Sequence, residues 1–176
     1  MAITYHDLYL KTRMALSSAG IEAAQLEARE ILCAAAEKTA EELYRDISLY
    51  TTDAIAEKTE ALQARRLAGE PIAYLLGEWS FCGLPFFVSP AALIPRVDTE
   101  MLAQLAMNRL KEHPGHTRIL DLCAGTGCVG LTAAALLKNT RAVLVDLSDG
   151  ALDLCKRNIR RHKLTGRAVS LKGDAL

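Results

Sequence analysis

Residues 118–130 read R-I-L-D-L-C-A-G-T-G-C-V-G, and this stretch decides the fold of the chain around it. A short apolar run meets an acid at Asp121, a loop of small residues follows, and residues 129–137 form an apolar segment of helical composition. Strand, tight glycine turn and helix in this order open a βαβ unit. A turn without bulky side chains lets its backbone and the first helical N–H groups approach a ligand, which predicts a nucleotide or nucleoside-cofactor site.

The alternation of strands and helices continues after this stretch. The sequence predicts three further elements, which are a strand over residues 141–145, a helix capped by Ser148 or Asp149 that runs to about His162, and a strand over residues 168–171. This alternation predicts an α/β fold with a parallel sheet and helices on its faces. Because ligands bind at the carboxyl ends of such strands, Asp121, Asp146 and Asp174 are expected together on one rim.

The first part of the chain is predicted to be a small helical bundle. Four or five short segments with helical composition lie between about residues 4 and 68, joined by brief loops. Thr39 and Glu42 have the T-x-x-E spacing of a capping box at the start of one of them. The apolar positions of these segments fit a packed core, and no catalytic constellation is found among them.

A β-hairpin is predicted next, with strands over residues 78–81 and 86–89 and a turn at residues 82–85. This hairpin holds four large aromatic side chains, Trp79, Phe81, Phe86 and Phe87. They fit either a hydrophobic plug between the two parts of the chain or the wall of a substrate pocket. The sequence leaves both interpretations open.

Residues 91–100 read A-A-L-I-P-R-V-D-T-E and lead into a predicted helix over residues 99–111. Asp98 is the expected N-cap of this helix. The expected apolar face is formed by Met101, Leu102, Leu105 and Ala106. Arg96 lies just outside the helix start, where a cation gains nothing from the helix dipole. A cation held there indicates either a surface salt bridge or a contact with a substrate or cofactor.

Composition limits the class of protein. The 176 residues are 51% hydrophobic and 24% charged with no net charge, which is typical of a globular protein, and no direct DNA binding is expected. Residues 1–77 carry 8 basic against 12 acidic residues and residues 78–176 carry 13 against 9, so two units with different surfaces are expected. No signal peptide or membrane span is expected. Five cysteines without a C-x-x-C pair predict free thiols in the cytoplasm and argue against a metal site.

Two cofactors compete for the predicted rim. Residues 125–130 satisfy G-x-G-x-x-G, and Asp146 follows Gly127 by 19 residues, which fits a dinucleotide fingerprint. However, the acid at Asp121 would repel a pyrophosphate and attract a cofactor with a cationic amino-acid end. S-adenosylmethionine has such an end, together with a ribose diol for Asp146 and an adenine for the rim near Asp174. The three acids therefore favour S-adenosylmethionine over NAD.

The same stretch carries a family resemblance. D-L-C-A-G-T-G-C-V-G-L, from Asp121, is similar to motif I of class I methyltransferases. Together with L-I-P-R-V-D-T-E at residues 93–100 and G-E-P-I-A-Y-L-L-G at residues 69–77, it makes the chain resemble the HemK/PrmC family. Those enzymes methylate the glutamine of the Gly-Gly-Gln loop in peptide-chain release factors. The resemblance implies a helical substrate-recognition domain, a hairpin linker and a Rossmann-like methyltransferase domain, at residues 1–74, 75–95 and 96–176.

The resemblance also implies roles for individual residues. The expected cofactor-binding residues are Asp121, Cys123, Ala124, Gly125, Thr126, Gly127, Asp146, Asp174 and Ala175. Among them, residues 123–127 would cradle the methionine part, Asp146 would bind the ribose, and Asp174 and Ala175 would flank the adenine. Arg96 and Asp98 are candidates for the substrate or cofactor pocket. Cys123 stands where the family commonly has glycine, and this change is expected to be sterically mild. Ala175 stands where the family often has an aromatic residue beside the adenine.

One family motif has no counterpart in this chain. The family aligns the acceptor amide with Asn-Pro-Pro-Tyr after the fourth strand, and the sequence contains no Asn-Pro dipeptide. We therefore expect the N-terminal part of a longer methyltransferase, truncated after its third strand, inactive alone and able to self-associate through an open sheet edge. Two alternatives remain, an NAD-dependent oxidoreductase and a non-catalytic protein-binding module.

Overall fold

A computed structural model describes residues 3–174, and the chain divides into two compact units between Leu76 and Gly77. Five helices form the first unit: α1 Tyr5–Ser18, α2 Ala24–Ala36, α3 Ala40–Arg45, α4 Asp53–Leu67 and α5 Ile72–Leu76. The capping box predicted before α3 is confirmed, since Thr39 Oγ1 accepts from the Glu42 N–H and Glu42 Oε2 accepts from the Thr39 N–H. Within residues 3–174 we find no helix that is both long and apolar enough to cross a membrane.

The core of the first unit is built by α1, α2 and α4. Fully buried leucine and isoleucine side chains fill it, among them Leu8, Leu16, Ile31 and Leu32. An ion pair joins α2 to α4, in which Arg66 Nε and Nη2 lie 2.6 and 3.2 Å from the two carboxylate oxygens of Glu27. This pair is largely shielded from solvent, with 20% and 10% of the two side chains exposed.

The second unit contains a hairpin, a parallel sheet and three helices. Its elements are β1 Glu78–Phe81, β2 Leu84–Phe87, α6 Val97–Lys111, β3 Thr117–Leu122, α7 Cys128–Leu136, β4 Thr140–Asp146, α8 Asp149–Arg161 and β5 Ala168–Lys172. The sheet has the order β3-β4-β5 with both pairings parallel, which confirms the predicted α/β alternation. The hairpin belongs to this unit, and Phe81 and Phe86 pack into its core with Leu131 and Leu144.

The predicted length of the hairpin turn, four residues at positions 82–85, is wrong. The turn has two residues, Cys82 and Gly83, and β2 begins at Leu84. Both turn residues have positive φ, 50° and 74°, as a tight type I′ turn requires. Pro85 lies inside β2, where its missing N–H is tolerated because the strand lies at an edge of this two-stranded sheet.

The predictions for α6 are also corrected. The helix begins at Val97 with Arg96 at the N-cap, so Asp98 lies in the first turn and is not the cap. There it still complements the positive end of the helix dipole. The predicted apolar face is wrong, since Met101, Leu102 and Leu105 are exposed. The helix packs through another face instead, with Ala103 and Met107 as its buried residues.

The topology leaves one face of the sheet open. Strand order follows chain order, so the right-handed crossovers through α7 and α8 place both helices on the same face. The opposite face carries six aliphatic side chains, Leu120, Leu122, Val143, Val145, Val169 and Leu171, which we call the open sheet face. Four of these six side chains are exposed and the two valines of β4 are half-buried, although parallel sheets are normally covered on both faces.

Candidate functional site

The loop between β3 and α7, residues 123–127, is tightly wound. Cys123, Gly125 and Gly127 all have left-handed backbone conformations, with φ of 56°, 54° and 77°. A Cβ at Gly127 would lie 2.9 Å from Leu144 Cδ1, so the loop needs glycine there for close packing as well as for its φ. Cys123 has a side chain in the same conformation, which costs about 1–2 kcal/mol for an L-residue. The expectation that Cys123 is a sterically mild replacement for glycine is therefore wrong.

Asp146, at the end of β4, joins this loop to the start of α8. Its Oδ2 accepts from the Gly125 N–H and its Oδ1 accepts from the Ser148 N–H, both at 2.9 Å. Of the two predicted N-caps of α8, Ser148 is the cap, and its Oγ accepts from the Ala151 N–H. Since each carboxylate oxygen accepts two hydrogen bonds, Asp146 keeps acceptor capacity for a ligand after binding both N–H groups.

Asp121, in β3, supplies the side-chain acceptor that the N-cap residue of α7 does not provide. Gly127 is the N-cap of α7 and has no side chain, and Asp121 Oδ2 accepts from the Gly130 N–H at 2.9 Å. A Cβ at Gly130 would lie 3.1 Å from that oxygen and 2.6 Å from Leu144 Cδ2, so glycine permits the approach. Burial raises the pKa of Asp121, the Gly130 N–H opposes this shift, and the negative charge of Asp146 adds to it.

A cleft of about 240 Å³ lies beside the loop. Asp121 and residues 122–126 form one wall, and residues 93–96 with Thr99 and Leu102 form another. Arg96 therefore lies on the same cleft as Asp121, and no carboxylate of the described residues pairs with it. Asp98 is exposed on α6 and does not line the cleft.

The remaining predicted residues lie around the same strand ends. Gly127, the last residue of the loop, is buried, and Asp174 follows β5 by two residues. The Gly173 N–H donates to the carbonyl oxygen of Asp146 at 3.1 Å, so the segment leading to Asp174 is held against the end of β4. Ala175 lies outside the described residues.

Two buried thiols, Cys128 and Cys155, lie near the loop, and the sequence predicted a contact with the loop for neither of them. Burial raises the pKa of Cys128 to about 11 and that of Cys155 to about 12, so both stay protonated at neutral pH and neither is a nucleophile. The Cys155 thiol donates to the carbonyl oxygen of Gly125 at 3.2 Å. Its position on the buried face of α8 is the signal that indicates such a contact.

Two alanines before α6, Ala91 and Ala92, make close contacts that the sequence did not predict. A Cβ at Gly125 would lie 3.7 Å from Ala92 Cβ, and one at Gly150 would lie 3.0 Å from Ala91 Cβ. The segment therefore runs close over the loop and over the first turn of α8. Two consecutive small residues are the sequence signal for this approach.

Family models match both parts of the chain. Residues 7–77 match the PrmC N-terminal domain, and residues 96–175 match the methyltransferase small domain. Among solved structures, an S-adenosylmethionine-dependent methyltransferase from Geobacter sulfurreducens in complex with S-adenosyl-L-homocysteine is 23% identical, covers 42% of this chain and 28% of its own, and has a TM-score of 0.36. That likeness is too weak to support an argument.

Three curated relatives that this chain resembles share the name release factor glutamine methyltransferase. Release factor glutamine methyltransferase of Nitratidesulfovibrio vulgaris is 35% identical over 97% of this chain and 57% of its own length. Its namesake from Geobacter sulfurreducens is 37% identical over 86% of this chain and 52% of its own length, and that from Escherichia coli is 47% identical over 61% and 38%. The chain thus spans about half the length of the curated relatives it matches. With matches in both of its parts, the chain belongs to the HemK/PrmC family of methyltransferases.

Proposed function

We propose that this chain provides the cofactor site of an enzyme that transfers a methyl group from S-adenosylmethionine to the side-chain amide nitrogen of the glutamine in the Gly-Gly-Gln motif of peptide-chain release factors. The name of the relatives supports the reaction and the acceptor. One observation carries the cofactor assignment: Asp121 is a largely buried carboxylate on the cleft, and it pairs with no cation among residues 3–174. Such a group favours a positively charged ligand.

The residues around the cleft fit this cofactor. Residues 123–127 would hold its methionine part, and Asp121 would attract its cationic end. Asp146 would accept from the ribose hydroxyls, while Asp174 and Ala175 would flank the adenine. Arg96, across the cleft from the loop, would bind a carboxylate of the cofactor or an anionic group of the substrate. When bound, the cofactor supplies an electrophilic methyl group on its sulfonium.

The acceptor places a separate demand on the enzyme. A glutamine amide nitrogen is a poor nucleophile because its lone pair is delocalised into the carbonyl, so it must be held in line with the methyl group. The sequence contains no Asn-Pro-Pro-Tyr motif for this alignment. We therefore expect the 176-residue chain to bind cofactor without transferring methyl groups to a release factor, which incubation with radiolabelled S-adenosylmethionine would measure.

The partners and the compartment follow from the same proposal. The helical unit would recognise the release factor, and the open edge of β3 would allow the chain to self-associate. Among the described residues all five cysteines are free thiols, which fits a reducing compartment and a cytoplasmic location.

Calorimetric titration of the chain tests the cofactor assignment. We expect S-adenosyl-L-homocysteine to bind, NADH not to bind, and Asp121→Asn to weaken binding about tenfold, because the amide keeps a hydrogen-bond acceptor but loses the charge. The matched control is Asp153→Asn, an exposed acid of α8 away from the cleft, which should leave the affinity unchanged. Binding of NADH with no response to S-adenosyl-L-homocysteine would favour the oxidoreductase alternative.

A further inference from the structure

Asn158 lies in the last turn of α8 and is fully buried. Its side-chain amide joins two distant backbone segments. Its Oδ1 accepts from the Phe87 N–H at 2.8 Å, and its Nδ2 donates to the Phe87 carbonyl at 3.1 Å. The same Nδ2 donates to the Thr126 carbonyl at 2.9 Å. One side chain therefore binds β2 of the hairpin and the loop that lines the cleft.

The contact with Phe87 alone does not account for a buried amide at this position. The hairpin is already held to α8 by Arg161, whose Nε donates to the Pro85 carbonyl at 3.1 Å and whose Nη2 lies 2.6 Å from Glu78 Oε2. The guanidinium groups of Arg157 and Arg161 also lie 4.6 and 4.4 Å from the centroid of the Phe87 ring. These arginines anchor the hairpin independently of Asn158.

The contact with Thr126 has no such substitute among the described residues. The peptide group between Thr126 and Gly127 is held from both sides, because Asn158 donates to its carbonyl and its N–H donates to the Ala124 carbonyl at 2.7 Å. Because the peptide unit is planar, its carbonyl and its N–H turn together, so both hydrogen bonds oppose its rotation. Gly127 flanks this peptide group on one side, so without these bonds the peptide would rotate at a lower steric cost than between two residues with side chains.

We propose that Asn158 is a positioning residue for the cofactor loop: it holds the Thr126 carbonyl toward α8 and thereby fixes the loop in the conformation that binds the methionine part of S-adenosylmethionine. This inference rests on the proposed function for its ligand. Only a side chain with both a donor and an acceptor makes this set of bonds, and a carboxylate of the same shape has no donor. The backbone of α8 is the fixed point from which Asn158 holds the loop, and the two bonds to Phe87 orient its amide.

Asn158→Asp tests the proposal, with Arg161→Gln as the matched control. The first variant keeps an acceptor for the Phe87 N–H but turns a carboxylate oxygen toward two carbonyls, whereas the second loosens the hairpin without touching the loop. We expect S-adenosyl-L-homocysteine to bind at least tenfold more weakly to Asn158→Asp and with unchanged affinity to Arg161→Gln, although both variants melt at lower temperature. Equal loss of affinity in both variants would overturn the proposal, because it would make Asn158 a structural residue only.

Amide hydrogen exchange of the ligand-free chain gives a readout that needs no cofactor. The Gly127 amide should exchange faster in Asn158→Asp and at the wild-type rate in Arg161→Gln. If the wild-type chain fails to bind S-adenosyl-L-homocysteine, the proposed function fails while this measurement still decides the role of Asn158. If Asn158→Asp does not fold, Asn158→Ser replaces it, because serine buries no charge. A Gly127 amide that exchanges at the wild-type rate in Asn158→Ser would contradict the inference.

Discussion

The Asp121 carboxylate is largely buried, and burial is the main reason that its pKa is raised, with the negative charge of Asp146 raising it further. A carboxyl group whose pKa is higher in the folded than in the unfolded state binds its proton more tightly when folded. The free energy of unfolding should therefore fall as the pH rises from the ordinary value of 3.8 through the raised pKa. Urea denaturation at a series of pH values should show this fall in the wild type and a smaller one in Asp121→Asn. Identical pH dependence in both proteins would contradict it.

Asp146 is the residue whose removal should affect both the loop and the ligand. Asp146→Ala deletes the acceptor of the Gly125 and Ser148 N–H groups and of the proposed ribose hydroxyls. We expect it to weaken binding of S-adenosyl-L-homocysteine by about 1.5–3 kcal/mol, the value of hydrogen bonds to a charged group. Calorimetry measures this loss, and Asp146→Asn, which keeps one acceptor, should lose less. Unchanged affinity in Asp146→Ala would remove Asp146 from the site.

Cys123 is a non-glycine residue with φ of 56°. Cys123→Gly relieves about 1–2 kcal/mol of backbone strain but adds about 0.4–1 kcal/mol of chain entropy to the unfolded state. We therefore expect the free energy of unfolding to rise by about 0.5–1 kcal/mol, measured by urea denaturation. Cys123→Ala is the control, because it removes the thiol and keeps the strain, and an equal gain in that variant would assign the effect to the thiol.

At the scale of elements, the Glu27–Arg66 ion pair is the polar link between α2 and α4. Arg66→Ala would leave the Glu27 carboxylate without its partner in a poorly hydrated position, which should lower the free energy of unfolding by about 2–3 kcal/mol. The exposed pair Lys11–Glu60 provides the control, since Lys11→Ala should cost less than about 1 kcal/mol. Denaturation of both variants checks this difference, and equal losses would show that shielding from solvent adds nothing.

The features that the sequence predicted correctly are local ones. The capping box before α3, the N-cap of α8 and the order of strands and helices each depend on residues a few positions apart. Contacts between distant segments were missed, as with Asn158 binding both Phe87 and Thr126. The buried face of α6 was missed for the same reason, because Ala103 allows close packing that hydrophobicity alone does not reveal. The loop position of Cys123 was predicted, whereas its positive φ depends on the path of the folded loop and could not be predicted from the residue type.

At the scale of the whole molecule, the open sheet face is the feature that should govern behaviour in solution. Leu120 and Leu122 are 60% and 49% exposed on β3, and β3 pairs with β4 along one edge only within residues 3–174. Val169 and Leu171 continue the apolar surface across β5. A contiguous apolar patch beside an unpaired strand edge favours association between chains.

We therefore expect the 19.1 kDa chain to self-associate in a concentration-dependent manner, measured by sedimentation equilibrium. Leu120→Lys places a charge in the patch on the strand that carries the open edge, so it should shift the equilibrium toward the monomer. Leu49→Lys is the matched control, because Leu49 is 58% exposed in the first unit and does not belong to the patch. A chain that stays monomeric at all accessible concentrations would refute the expectation, and equal effects of the two substitutions would show that the sheet is not the site of association.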